Sequence, residues 1–425
     1  MLTSSFQMDT TVPVLLLKKG RYVLHHGAVG IARSLGRLGV PVYAIVEDRY
    51  APLAMCRHLT GAFVDRTDDA NALLNFAAGI GERINRPTVL LPTDDHSAIF
   101  IAEHARILSR WFLFPRSPPG LPRLLANKAS LPSLCRKAGI SCAEHAIPAS
   151  IDQVYAFIGS ATFPVVVKAA EYSQQLNNGK SSFIVHSAEE LMALCEPADG
   201  SHCHNVILQE YIPGEDWIFH GYCNPETDCF LGFTGKKLRS YPPFAGPTTL
   251  GVSILNEPLR QQTEPFLRAI GYCGIMDIDY RRDERDGRYK VLDFNPRVGA
   301  NFRLFEGCNG IDVVRALHLD LTGRRFDSSP MIEGRTFIAE LHDLFAALAY
   351  LRRGGLTLRS WWRSLAGRRE LAWWSWDDPL PFFVMAVRLL LRSARRAVRT
   401  RSERVKALLQ FWRKGRTRSC AAENT

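Results

Sequence analysis

The chain has 425 residues, 46% of them hydrophobic, enough for two or three packed units and too apolar for a disordered protein. Its formal charge of +11 sits at one end, because residues 351–425 hold 18 Lys and Arg against 5 Asp and Glu; the basic excess therefore says nothing about what the main body binds. The ten cysteines form no C-x-x-C pair, which excludes a disulfide scaffold, and with no secretory leader evident in the first eleven residues the expected compartment is a reducing cytoplasm.

In chain order, Val12–Leu17 reads as a buried strand. Gly27-Ala-Val-Gly30 leads into a helix over Ile31–Leu38, and Val42–Val46 is the next strand, giving a β-α-β unit. The glycine pair falls short of G-x-G-x-x-G because His25 occupies the first glycine slot, although Asp48 lies about twenty residues on, where a dinucleotide site needs an acid. A dinucleotide-dependent oxidoreductase stays open as an alternative on those residues. A strand at Thr88–Leu91 and a helix at Ser97–Leu108 follow, and the breakers Pro115–Gly120 close a first, Rossmann-like α/β domain, residues 1–120. From Asn127 the pattern changes. A helix (Ala129–Ala138), a strand (Phe163–Lys168), a polar loop (Ser173–Ser182) and a strand (Phe183–Val185) precede a helix beginning near Ser187. Strands Val206–Tyr211, Tyr222–Thr234, Gly274–Tyr280 and Tyr289–Phe294, with helices Leu259–Ile270 and Ile311–Leu321, complete an α+β body built on antiparallel sheets, residues 121–325.

The most informative stretch runs from Asp277-Ile-Asp279 to Asp293-Phe-Asn295-Pro-Arg297, two strands joined by a charged turn. Residues two apart on a strand share a face, so Asp277 and Asp279 point one way and Asp293 and Asn295 do likewise, with Ile278, Val291 and Phe294 interleaved. Hard oxygen donors gathered on one face suit Mg²⁺ held jointly with substrate phosphates. Taken alone, the same acids also read as a solvated hairpin.

Four segments in order, Phe163-Pro-Val-Val-Val-Lys168, Val206-Ile-Leu-Gln-Glu210-Tyr-Ile-Pro-Gly-Glu215, Gly274-Ile-Met-Asp-Ile-Asp279 and Leu292-Asp293-Phe-Asn295-Pro-Arg297, resemble the signature of ATP-grasp enzymes, over roughly residues 12–325. The nearest likeness is to carboxylate–amine ligases of the D-aspartate-ligase-like kind, which Lys237-Leu-Arg239-Ser-Tyr-Pro-Pro-Phe-Ala-Gly246 also resembles. The resemblance implies an ATP-grasp fold hinged near 209–214, a leading Rossmann-like domain, ATP and Mg²⁺ as cofactors with Mn²⁺ as a substitute, and small-molecule carboxylate and amine substrates. It assigns Lys128 and Lys168 to nucleotide phosphates, and Lys180, in a flap at Gln174–Ser182, to the same group. Glu210, Tyr211 and Ile212 would face adenine through their backbone, and Glu215 the ribose, with Asp216 as the alternative. Asp279, Asp293 and Asn295 match the metal ligands, and Arg297 the arginine that steadies the transferred phosphoryl group. Both acids are Asp where the family more often has Glu, which shortens their reach. Arg303 and Arg239, beside these motifs, are candidates for the substrate carboxylate. The implied reaction is activation of a carboxylate as an acyl phosphate for attack by an amine. An ATP-grasp kinase acting on an alcohol and a non-catalytic, membrane-associated nucleotide sensor are the other readings. His202-Cys203-His204 has no second ligand pair nearby and reads as surface, not zinc.

Residues 326–425 form a basic, Trp-rich, helical C-terminal region. Val387, Leu391, Ala394, Val398, Val405, Leu408 and Trp412 recur at helical spacing beside an arginine stripe, downstream of Trp361, Trp362, Trp373, Trp374 and Trp376. Phe382–Leu391, the most apolar run, is about half the length a spanning helix needs. Residues 380–418 therefore suit peripheral contact with an anionic membrane surface on its cytoplasmic face, or packing on the protein's own body. Nucleic acid is not the expected partner, because phosphate contacts need no apolar stripe.

Overall fold

Three sheets organise the chain in the computed structural model, which describes residues 6–20, 25–169, 182–195, 206–243 and 246–393. The first is five-stranded and parallel, in the order β3-β2-β1-β4-β5, from β1 (Val14–Leu17), β2 (Val42–Val46), β3 (Gly61–Val64), β4 (Thr88–Pro92) and β5 (Phe112–Leu113). All four residues of β1 are buried, as the unbroken apolar run of a central parallel strand requires. Helix α1 (His26–Gly36) starts earlier than the apolar spacing predicts, because His25 caps it, its Nδ1 accepting from the Ala28 N–H at 3.1 Å. Gly27 and Gly30 thus lie inside the helix, and their role is close packing: a Cβ on Gly30 would stand 2.7 Å from Arg303 Cδ, and one on Gly27 3.0 Å from Ala300 Cα. Asp48, the acid a dinucleotide site would need, is held by Arg388 at 2.6 Å.

The second sheet has the order β6-β9-β7-β8, from β6 (His145–Ala146), β7 (Val165–Ala169), β8 (Ser182–Val185) and β9 (Val206–Glu210). The third, seven-stranded, has the order β14-β13-β10-β11-β12-β15-β16, from β10 (Gly214–Asn224), β11 (Cys229–Ser240), β12 (Thr248–Ser253), β13 (Gly274–Asp283), β14 (Tyr289–Asn295), β15 (Arg335–Ile338) and β16 (Arg368–Leu371). The single strand predicted at Tyr222–Thr234 is a hairpin. Pro225 cannot donate to the ladder and Asp228 takes a positive φ of 50°, so the chain turns there.

The C-terminal region contains the expected helices, but it is more than an appendage. Strands β15 and β16 extend the large sheet, pairing in parallel from Arg335↔Arg368 to Ile338↔Leu371. Trp373 and Met385 are fully buried in the same core as α1. Arg33, on α1, donates to Asp378 Oδ2 at 2.9 Å and to the Trp373 carbonyl at 2.7 Å. The tryptophans therefore divide: Trp373 packs inside, while Trp362 and Trp376 stay 67% and 89% exposed. Of the predicted amphipathic stretch only residues 380–393, a helix, are described; Ala394 onward lies outside the described residues.

Candidate active site

The β13–β14 hairpin holds the acids. Asp279 lies opposite Asp293 and Asp277 opposite Asn295, with a register shift between Asp279 and Tyr280; directly opposed residues share a face, so all four side chains stand together. Ile278 and Phe294, which alternate with them, are fully buried on the other face. Asp293 is half-buried and has no hydrogen bond or ion pair to protein among the described residues. Asp279 meets Lys237 Nζ at 3.1 Å. Asn295 is oriented from both ends, its Nδ2 donating to the Asp277 carbonyl at 3.1 Å and its Oδ1 accepting from Arg297 at 2.9 Å.

Arg297 is the hub. It donates to Asp277 Oδ2 at 3.1 Å and lies 3.3 Å from Asp95 Oδ1. Asp95 opens helix α3 (Asp95–Glu103), the next after α2 (Ala70–Ile84), and its cap, Asp94, also accepts from the N–H groups of Lys19 and Gly20 at 3.1 and 2.8 Å. The parallel sheet thus contributes an acid to the site. Burial raises the Asp277 carboxyl to about 7, against the pull of Arg297 and with a push from Asp279. Behind it, His220 is held neutral by burial, its pKa lowered to about 3, and its Nε2 accepts from the Gly299 N–H at 3.0 Å. Gly299 has no room for a side chain, since a Cβ would stand 2.2 Å from that nitrogen.

Lys168, on β7, and Lys128 line a cleft with Gln209, His145, Cys142 and Leu292, the residue before Asp293. Burial, and then the charge of Lys128, lower the Lys168 ammonium to about 8. The cleft lies between the four-stranded sheet and the acid hairpin, with Ile207 and Gln209 of β9 in its lining and Tyr211–Pro213 linking the two sheets. The Glu210 backbone N–H donates to the Glu144 carbonyl at 2.8 Å, its side chain pairs with Arg285 and Lys290, and the Ile212 carbonyl accepts from Arg281 at 3.1 Å. Tyr211 is half-buried between them.

Strand alternation separates Glu215 from Asp216. On β10, Ile218 pairs with Asp279 and Asp216 with Arg281, so Asp216 shares the acids' face and Glu215 points the other way, to Lys236 at 2.7 Å. Asp216 meets Arg281 at 2.7 Å. Arg239 and Arg303 each have an acidic partner, though Arg303 Nη1 is buried without a hydrogen bond among the described residues. Arg239 is buried in a two-pronged pair with Asp343, at 2.8 and 2.7 Å. Arg303 is paired with Glu370 of β16, and burial lowers its pKa to about 10. Lys180 and His202-Cys203-His204 lie outside the described residues. Sequence reasoning missed Asp95, His220 and Lys237 as site residues. Lys237 was within reach, since alternation along β11 places it on the acids' face.

No protein-family model matches the chain. It is 25% identical over 355 residues to a D-aspartate ligase of Enterococcus faecium (strain Aus0004), covering 78% of this chain and 80% of that one. Among solved structures, N5-carboxyaminoimidazole synthetase from Staphylococcus aureus, complexed with ADP, is similar with a TM-score of 0.57 at 12% identity, covering 77% of this chain and 82% of that one. The L-amino acid ligase from Bacillus licheniformis gives a TM-score of 0.54 at 15% identity, covering 74% and 75%.

Proposed function

With the ATP-grasp fold as premise, which the chain shares with the structures just compared, we propose that it is an ATP-dependent carboxylate–amine ligase. The observation that carries this reading is the opposition of Asp279 and Asp293 on one face, with Asn295 and Arg297 beside them. Nucleotide occupies the cleft beside Lys128 and Lys168, adenine against the backbone of Glu210–Ile212 and ribose at Asp216. An unpaired half-buried carboxylate, a second one covered only by a lysine, and an amide oxygen fit Mg²⁺, which Asp279, Asp293 and Asn295 would hold and which, when bound, offsets phosphate charge. Mn²⁺ fits the same oxygen donors.

A substrate carboxylate oxygen attacks the γ-phosphorus of ATP, the bond to the ADP oxygen breaks, and an acyl phosphate forms. Lys168 and Arg297 face the charge that develops on the transferred group. An amine nitrogen then attacks the acyl carbon, phosphate leaves, and the amine proton passes to solvent or a nearby base. The experiment is an ADP- and phosphate-release screen of the protein against pools of carboxylic acids with and without amines. Amide, ADP and phosphate in equal amounts are expected, and are lost in Asp293→Asn. A phosphorylated alcohol without free phosphate would instead identify a kinase.

We also propose that the enzyme works in the cytoplasm and attaches reversibly to anionic membrane. On the helix over 380–393, Leu380, Phe383, Val387, Leu390 and Leu391 are exposed and share one stripe, and the sequence beyond continues basic. No described helix is long and apolar enough to cross a membrane.

A further inference from the structure

A partly open cavity lies between the parallel sheet and the start of β13, larger than the cleft beside Lys168. Its walls are apolar: Leu91 at the carboxyl end of β4, Ile101 and Ala102 on α3, Phe114, Ile275 and Leu317. The polar groups set into them are already satisfied. Ser117 Oγ donates to the Cys273 carbonyl at 2.7 Å and accepts from the Cys273 N–H at 3.1 Å, and the Tyr272 hydroxyl donates to the Ile275 carbonyl at 2.7 Å. Arg297 contributes to the lining, yet its guanidinium is engaged by Asp95, Asp277 and Asn295. Arg116 is different: it is exposed, lines the cavity and has no ion pair among the described residues.

An apolar cavity gives water few partners, so an apolar occupant is favoured over solvent. A junction between domains at the carboxyl ends of parallel strands is where small ligands commonly bind. An unpaired arginine beside such a cavity selects an anionic end group. We propose that this cavity binds an amphipathic monoanion, a medium-chain or aromatic carboxylate, with its apolar body against Leu91, Ile101 and Ile275 and its charge at Arg116. The bound molecule rests against Pro296, Arg297 and Val298 as well.

The site is independent of the ligase reading, and its test uses binding alone. Decanoate is titrated calorimetrically into the full-length protein without nucleotide, beside decanol as the uncharged probe. Saturable binding is expected for wild type. Ala102→Trp, which fills the cavity, weakens both probes at least tenfold, and Ala98→Leu, a milder filling, weakens both by less. Arg116→Ala weakens decanoate and leaves decanol unchanged. Thermal melts show whether each variant is folded. Absence of decanoate binding to wild type overturns the proposal, as does undiminished binding to both filled variants with native melts, or equal loss of the two probes in Arg116→Ala.

Discussion

Asp95 Oδ1 lies 3.3 Å from Arg297 Nε, an ion pair that ties the first turn of α3 to the segment after β14. Arg297 is held by Asp277 and Asn295 on its other nitrogens, so Asp95 fixes the guanidinium from the side of the parallel sheet. No hydrogen bond joins the two groups, and the attraction of a unit-charge pair at this separation is about 1–4 kcal/mol between bulk-water and protein-like dielectrics. Asp95→Asn is therefore expected to lower the turnover number on the order of tenfold to a hundredfold while changing the KM for ATP far less. Steady-state ADP release at saturating ATP measures both. Unchanged turnover would mean that the pair only staples the two sheets together.

Alternation on β10 separates two neighbouring acids. Asp216 stands on the face of Asp279, and Glu215 faces Lys236 with its side chain half exposed. Asp216→Ala should weaken ATP binding several-fold, and Glu215→Ala should leave it within about twofold, since surface ion pairs contribute little. The comparison is made with a non-hydrolysable ATP analogue. The reverse order of effects would place the ribose on the other face.

Lys168 supplies a pH dependence. Burial and Lys128 lower its ammonium from the ordinary lysine value to about 8. The group is charged below that pH and loses its charge as pH rises through it, so nucleotide affinity should fall from pH 7 towards pH 9.5. Its contribution to folding has the opposite sign, because a depressed lysine pKa penalises the folded state while the group is charged, and that penalty fades between about 8 and the unfolded value near 10.4. Lys168→Arg keeps its charge throughout. Calorimetric titration of ATP from pH 7 to 9.5 should show the fall in wild type and a flatter profile in the arginine variant. Parallel profiles would assign the pH dependence to another group.

The exposed stripe on the helix over 380–393 bears on membrane attachment. Truncation after Asp378 is an unsuitable test, because it removes the buried Met385 and the Arg388–Asp48 pair. Val387 and Leu390 are 55% and 69% exposed, and changing both to Ser leaves that packing in place. The full-length protein should co-sediment with anionic but not neutral vesicles, less so at high salt, and the double variant should stay in the supernatant. Equal partition of both proteins would leave the stripe to a protein partner.

The acid hairpin was legible because two-residue alternation fixes which side chains share a face, and Asp277, Asp279, Asp293 and Asn295 stand as that rule requires. Which of Glu215 and Asp216 shares the acids' face needed the register of β10 on β13, which nothing local in the sequence sets. The ion pairs of Arg239 and Arg303 were out of reach for a related reason. Their partners, Asp343 and Glu370, come from the C-terminal region, which composition alone presents as an appendage; β15 and β16 are short strands with ordinary polar residues, and their pairing is long-range. Asp95 is distant in sequence from Arg297, and only the docking of α3 brings them together. The glycines of α1, short of a dinucleotide fingerprint in the sequence, turn out to serve close packing against Arg303 and Ala300.

The most direct test of acyl-phosphate chemistry is oxygen transfer. With the acid identified by the ADP-release screen and labelled with ¹⁸O in its carboxylate, released phosphate is analysed by mass spectrometry in the presence of the amine. The account predicts one ¹⁸O in each phosphate, because the carboxylate oxygen that attacks ATP leaves with the phosphoryl group. Unlabelled phosphate, or release of AMP in place of ADP, would contradict it.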